Sequence, residues 1–146
     1  MSGFKVTAQI EDVPTVEISD AVIAEWLRGR LNDARNYFIH QMERGSGSGR
    51  LYRRPGGRWH HASAPGEYPV TDGGYLVTRV DYQLNGPREG QLYSEVDYAE
   101  YLTTGNRSGT LQPRAMFADA ITDVLQARPH SDQLARCVVV TSGPNE

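Results

Sequence analysis

The chain has 146 residues, 38% of them hydrophobic, with a formal net charge of −3 and a mean hydropathy of −0.55. That length suits one domain with a core that needs no metal or disulfide staple, and the lone Cys137 excludes a disulfide within the chain. No apolar run approaches a membrane span and the FKVTAQI start is too short and polar for a signal peptide, so a soluble protein made inside the cell is expected.

Phe4, Val6, Ala8 and Ile10 alternate with polar residues, the period-two signature of a half-buried strand, which Pro14 breaks. Ser19 then has the character of a helix N-cap, with Ile18 and Ile23 placed as a hydrophobic staple across it. From Asp20 to about Arg44 the spacing predicts the longest helix. Its stripe is Ile23, Leu27, Leu31, Ala34, Phe38 and Met42, with Trp26 and Tyr37 on the flank. Gly29 weakens it by about 1 kcal/mol relative to alanine. GSGSG at 45–49 stops it.

A long loop follows. Between Arg44 and His61 it holds five arginines (Arg44, Arg50, Arg53, Arg54 and Arg58), two histidines and no carboxylate. Pro55, Pro65, Pro69 and six glycines from Gly49 to Gly74 oppose a continuous helix or a central strand. A structureless loop of this length in a small domain usually has a task or orders against a partner. Tyr52, Trp59, Tyr68 and Tyr75 argue against a solvated linker, so residues 45–74 are read as an arm that meets other molecules. Residues 44–61 carry +5, so the remainder carries −8, a split that suits like molecules docking head to tail and also suits nucleic acid.

YLVTRVDYQL at 75–84 and QLYSEVDY at 91–98 are strand-like runs, and the Asn85-Gly86 step between them predicts a β-hairpin. TTGNRSGT at 103–110 reads as a second flexible loop. Pro113 fits the first turn of a helix that Pro129 ends, with Met116, Phe117, Ala120, Ile121, Val124 and Leu125 as its apolar face. A strand closes the chain, with Cys137 as a buried residue of its CVVV run. No repeat appears. The sum is one α+β domain spanning 1–146: a small, mostly antiparallel sheet packed by a long N-terminal helix and a C-terminal helix, with a long extended loop.

The chemistry-bearing residues do not assemble into a catalytic pattern. Side chains of the adjacent His60 and His61 diverge in a loop, and no cysteine or carboxylate cluster lies near them to complete a metal site. GSGSGR lacks the lysine and Ser/Thr of a phosphate loop and follows a helix rather than a strand. Asp72, Asp81, Glu95 and Asp97 could gather as a nuclease-like carboxylate set, but the solvated face of a hairpin accounts for them. Ser63 has no nucleophile-elbow context. No enzyme activity, cofactor or metal is expected.

ASAPGEYP at 62–69, followed by Gly74-x-Leu76, resembles the signature of the small head–tail joining proteins of long-tailed, lambdoid-type phages, variously called neck, tail-completion or tail-component proteins. Their pattern runs from a long helix into a Gly/Arg-rich loop, then Ala-Ser-x-Pro-Gly-x-x-Pro and Gly-x-Leu opening a strand. Tyr-Ala-x-x-Leu-Glu-x-Gly-Thr follows, and Arg-Pro-Phe-Met-x-Pro-Ala starts the last helix. The chain keeps this order over about residues 20–127. Tyr98, Ala99, Leu102 and Gly105 match the second motif, with Thr103 and Asn106 in place of its Glu and Thr. Arg114, Met116, Phe117 and Ala120 follow the third approximately, with Met and Phe exchanged and with Ala115 and Asp119 in place of its prolines.

The resemblance implies a structural virion protein at the head–tail junction, present in the host cytoplasm during assembly. It implies a ring, commonly a hexamer, that completes the tail or neck and joins it to the head. A ring subunit needs two unlike surfaces, and Arg50, Arg53, Arg54, Arg58, Trp59, Ser63, Pro65, Gly66, Tyr68 and Pro69 are the expected subunit-interface residues. Pro65-Gly66 allows a sharp turn that seats the arm in a neighbour's groove, or an internal turn packing on the chain's own sheet. Neighbouring neck, head-completion and tail-tube proteins are the expected partners. Genome DNA is a transient one, with Arg53, Arg54 and Arg58 as the DNA-facing alternative. The rival readings are a tail terminator capping the tube and a stand-alone nucleic-acid-binding module, the latter opposed by a sequence pI of about 5.8.

Overall fold

Alternation along the first strand is matched by its burial: in β1 (Phe4–Ile10), Phe4, Val6, Ala8 and Ile10 are buried while Lys5, Thr7 and Gln9 face the other side. The computed structural model describes residues 3–13, 18–43, 51–53, 57, 59–61, 63–64, 67–69, 76, 78–96, 116–127 and 133–144, with the backbone alone at 51–53 and 59–61.

Helix α1 (Asp20–Glu43) starts where its cap residue stands. The Ser19 Oγ accepts from the Val22 N–H at 3.3 Å and the Ser19 carbonyl from the Ile23 N–H at 3.0 Å. Its buried residues are Ile23, Leu27, Leu31, Ala34, Phe38 and Met42, the predicted stripe. Helix α2 (Phe117–Gln126) buries Phe117, Ala120, Ile121 and Val124, with Met116 buried just before it. The Asp119 carboxylate accepts from the Met116 N–H at 3.0 Å, satisfying a first-turn donor. Pro113 and Pro129 lie outside the described residues.

The strands of the main sheet stand in the order β4 (Val80–Gly86), β5 (Glu89–Ser94), β1, β6 (Val138–Pro144), every neighbour antiparallel. Both helices cover one face: α1 packs on β4, β5 and α2, and α2 also touches β1 and β6. The core between them contains Phe38, Phe117, Leu27, Leu31, Leu92 and Val96. A methyl at Gly90 of β5 would collide with Leu31, so glycine lets the helix approach the sheet there. The opposite face is polar. On it Gln9 donates to Glu89 at 2.6 Å, and Asn85 donates to Glu89 and Gln91, each at 3.2 Å.

Two predicted boundaries move. The hairpin strands are β4 (Val80–Gly86) and β5 (Glu89–Ser94), shorter than the sequence runs, and they turn at Pro87-Arg88 rather than at Asn85-Gly86. Register shifts between Leu84 and Gly86, which leaves Asn85 as the extra residue of a bulge. Leu76 is buried outside the strand, and the Arg79 N–H closes a turn onto its carbonyl at 2.9 Å, so β4 begins only after it. At the other end the Ser94 Oγ accepts from the Val96 N–H at 3.2 Å and draws the chain out of the ladder. Cys137 is not a buried strand residue. It ends a 3-10 turn (Ala135–Cys137) and is half-buried, and the final strand β6 (Val138–Pro144) starts after it.

Candidate assembly surface

The arm is not without secondary structure. Leu51–Arg53 (β2) and Trp59–His61 (β3) form an antiparallel ribbon separate from the main sheet, with Arg53 opposite Trp59, Tyr52 opposite His60 and Leu51 opposite His61. Both triplets are free of glycine and proline and rich in aromatic side chains, which is where a ribbon can form within this segment. Gly57, between them, has φ 88°, a left-handed conformation that glycine takes without steric cost. Arg50, Arg54, Arg58, Pro65 and Gly66 lie outside the described residues. Arg53 and Trp59 are placed by their backbone pairing.

From Ser63 to Pro69 the described residues pack on the chain's own body. Ser63 and Pro69 are buried. The Glu67 N–H donates to the Ala64 carbonyl at 3.1 Å and the Glu67 carboxylate accepts from the Ala64 N–H at 2.6 Å, a reciprocal clamp that closes a turn. Tyr68 is the anchor. Its ring meets Tyr37 and Phe38 edge-on, each at 5.9 Å between centroids, and Phe38 in turn meets Phe117 at 5.0 Å. Its hydroxyl donates to an Asp123 carboxylate oxygen at 2.7 Å. Burial, then the bond to Asp123 and its negative charge, push the Tyr68 hydroxyl well above the usual phenol range. Tyr68 of the ASAPGEYP motif thus packs against helices α1 and α2.

The body opposite carries acid. Glu11, Asp12, Glu43, Glu95 and Asp119 are exposed. Ion pairs also form on the body: Arg88 with Asp20 at 2.9 Å, Arg30 with Asp33 at 3.1 Å, and Arg28 with Glu25. Arg35 lies over the Tyr82 ring at 5.2 Å and 3.6 Å from Asp81, so α1 is also fastened to β4 by a cation on an aromatic face.

Sequence reasoning did not find three of these groups. Asp123 reads in the sequence as one more polar position on a helix, and nothing local marks it as the partner of a tyrosine 55 residues earlier. The Arg35–Tyr82 stack needs α1 and β4 side by side. A cleft of about 440 Å³, lined by Thr78, Arg79, Val80, Asp81, Tyr93, Glu95 and Val96, likewise needs the β4–β5 pairing. In that cleft burial, Asp81 and Glu95 raise the Tyr93 hydroxyl above its ordinary value. Asp72 and Asp97 lie outside the described residues, as do the side chains of His60 and His61.

No family model, curated protein or solved structure matches the chain.

Proposed function

We propose that the chain is a structural virion protein, a subunit of an oligomeric ring at a phage head–tail junction that completes the tail or neck and joins it to the head. The observation that carries this reading is the attachment of a basic, aromatic arm to an acidic body. Residues 44–61 hold five arginines and no carboxylate, and Tyr68 packs on α1 and α2. A subunit built so has two unlike surfaces, which a closed ring requires. The order of motifs from ASAPGEYP to the Met116–Ala120 segment supports the same reading. The α+β fold with one long and one short helix agrees with it.

Within the ring, the arm's guanidinium groups pair with carboxylates of the next subunit. Arginine's planar fork suits such two-pronged contacts, and the ribbon sets Arg53 opposite Trp59 in register. The test is assembly. Phage lacking the chain is expected to accumulate filled heads and separate tails, and added purified protein is expected to join them. Particle images should then show several copies in lateral contact at the junction. Normal joining without the chain, or a salt-sensitive shift of DNA by the isolated protein with no effect on joining, would overturn the reading.

A further inference from the structure

Among the described residues the outer edge of β6 is open and is guarded only by Pro144 at its end. The Glu11 N–H donates to the Cys137 carbonyl at 2.9 Å, at the head of the β1–β6 ladder. Residues of an antiparallel strand point their backbone groups to alternate sides. Val139, Thr141 and Gly143 therefore bond toward β1, and Val140 and Ser142 point their N–H and C=O groups outward, as Val138 does its C=O, while the Val138 N–H caps the 3-10 turn on the Ala135 carbonyl. Among the described residues no strand meets them. The strand has no charge and no bulge, and its one proline, Pro144, stands at its last position. Natural sheet edges are normally protected by one of these. The opposite edge strand, β4, has two: the bulge at Asn85 and the exposed carboxylate of Asp81.

An apolar groove runs beside this edge, lined by Leu125, Ala135, Val138 and Val140 with Thr122 and Arg136 at its polar margin. Val139, on the other face, is 42% exposed. A surface of unpaired backbone groups flanked by valines on both faces selects a strand as its occupant.

We propose that the free protein forms a dimer in which β6 pairs antiparallel with β6 of a second copy, Val140 lying on the twofold axis. β6 is its own complement in this register. Val140 faces its counterpart and exchanges both bonds with it, and Val138 faces Ser142 of the other copy, where the Ser142 N–H meets the Val138 C=O while the Val138 N–H stays on Ala135. Pro144, which has no N–H, stays outside the exchanged bonds. Val139 is set against Thr141 on the polar face, a pair of β-branched side chains at cross-strand distance. No like charges meet, because the strand carries none. The two four-stranded sheets become one of eight strands with the helices all on one side. This contact is distinct from the arm, so it goes beyond the proposed ring and neither depends on the other.

The test is the association state of the purified full chain by sedimentation velocity over a micromolar concentration series. A reversible dimer is expected. Val140→Pro removes an N–H that points away from β1, so the monomer keeps its ladder, while the dimer loses both bonds on its axis. Dimer affinity should fall by about tenfold or more. Val139→Lys, at an already exposed position, should weaken the dimer without affecting the fold as read by circular dichroism. In a Cys137→Ser background, Val140→Cys should cross-link to itself on mild oxidation, because directly opposed residues stand within disulfide reach. A chain that remains monomeric throughout, or a dimer indifferent to both β6 variants, would overturn the proposal. The second result would assign association to another surface. Loss of secondary structure in Val140→Pro without a wild-type dimer would mean that β6 is covered within the chain, and would overturn it too.

Discussion

Tyr68 joins the arm to the body through two separable contributions, its ring and its hydroxyl. Tyr68→Phe keeps the edge-on contacts with Tyr37 and Phe38 and removes only the bond to Asp123. A cost of about 1–2 kcal/mol is expected from urea unfolding, since the acceptor is a carboxylate. Tyr68 also gives that stability a pH dependence. Its hydroxyl is harder to ionise in the folded chain than the ordinary phenol value of 10.0, so the contribution is whole below about pH 10 and is lost as pH rises beyond it. Wild type should therefore lose more stability than Tyr68→Phe between about pH 9 and 11. Equal slopes for the two would show that the hydroxyl is not held as the geometry has it.

Helix α1 and strand β5 contain glycines whose replacement should act with opposite signs. A methyl at Gly29 meets nothing within 4 Å, so Gly29→Ala should stabilise the protein by about 0.5–1 kcal/mol through helix propensity. At Gly90 the added methyl collides with Leu31 and presses on the Leu84 side chain and the Gln83 carbonyl, so a loss of about 1–3 kcal/mol is expected. Denaturant midpoints of the two variants measure both effects in one experiment. The first glycine is legible from sequence as an interruption of the helical stripe. The second is not, because its neighbour Leu31 is brought to it by the packing of α1 on the sheet. The hairpin shows the same division. Two strand-like runs with a turn between them were visible, yet the turn falls at Pro87-Arg88 because the bulge at Asn85 shifts the register.

At the scale of the whole molecule, a helix-covered sheet holds Tyr68 on its helices, and two predictions concern the proposed arm. Limited trypsin digestion of the free protein should cut first between Arg44 and Arg58, while the segment held by Ser63, Tyr68 and Pro69 resists. Mass spectrometry of the first fragments checks this, and early cleavage elsewhere would argue against the arm. Arg53→Glu with Arg54→Glu should block joining of heads to tails while leaving the unfolding midpoint within about 0.5 kcal/mol of wild type. Particles that assemble normally, with only DNA retention or ejection altered, would place these arginines against the genome.

The amino-acid sequence by itself determined the parts of this protein that depend on neighbours along the chain. The 3.6-residue stripe from Ile23 to Met42 specified α1 and its buried face, the Phe4–Ile10 alternation specified β1, and Ser19 marked the start of a helix. The concentration of arginine between Arg44 and His61 needed no structure to be seen. Tertiary structure decided the rest. It placed β1 between β5 and β6, left β6 as an edge, put Cys137 in a 3-10 turn, and brought Tyr68 to Asp123. Periodicity is written in residues three or four apart, whereas Gln9 and Glu89 meet across 80 positions. Contacts of that kind depend on which strands pair and which helix covers them, and no local pattern of side chains contains that information.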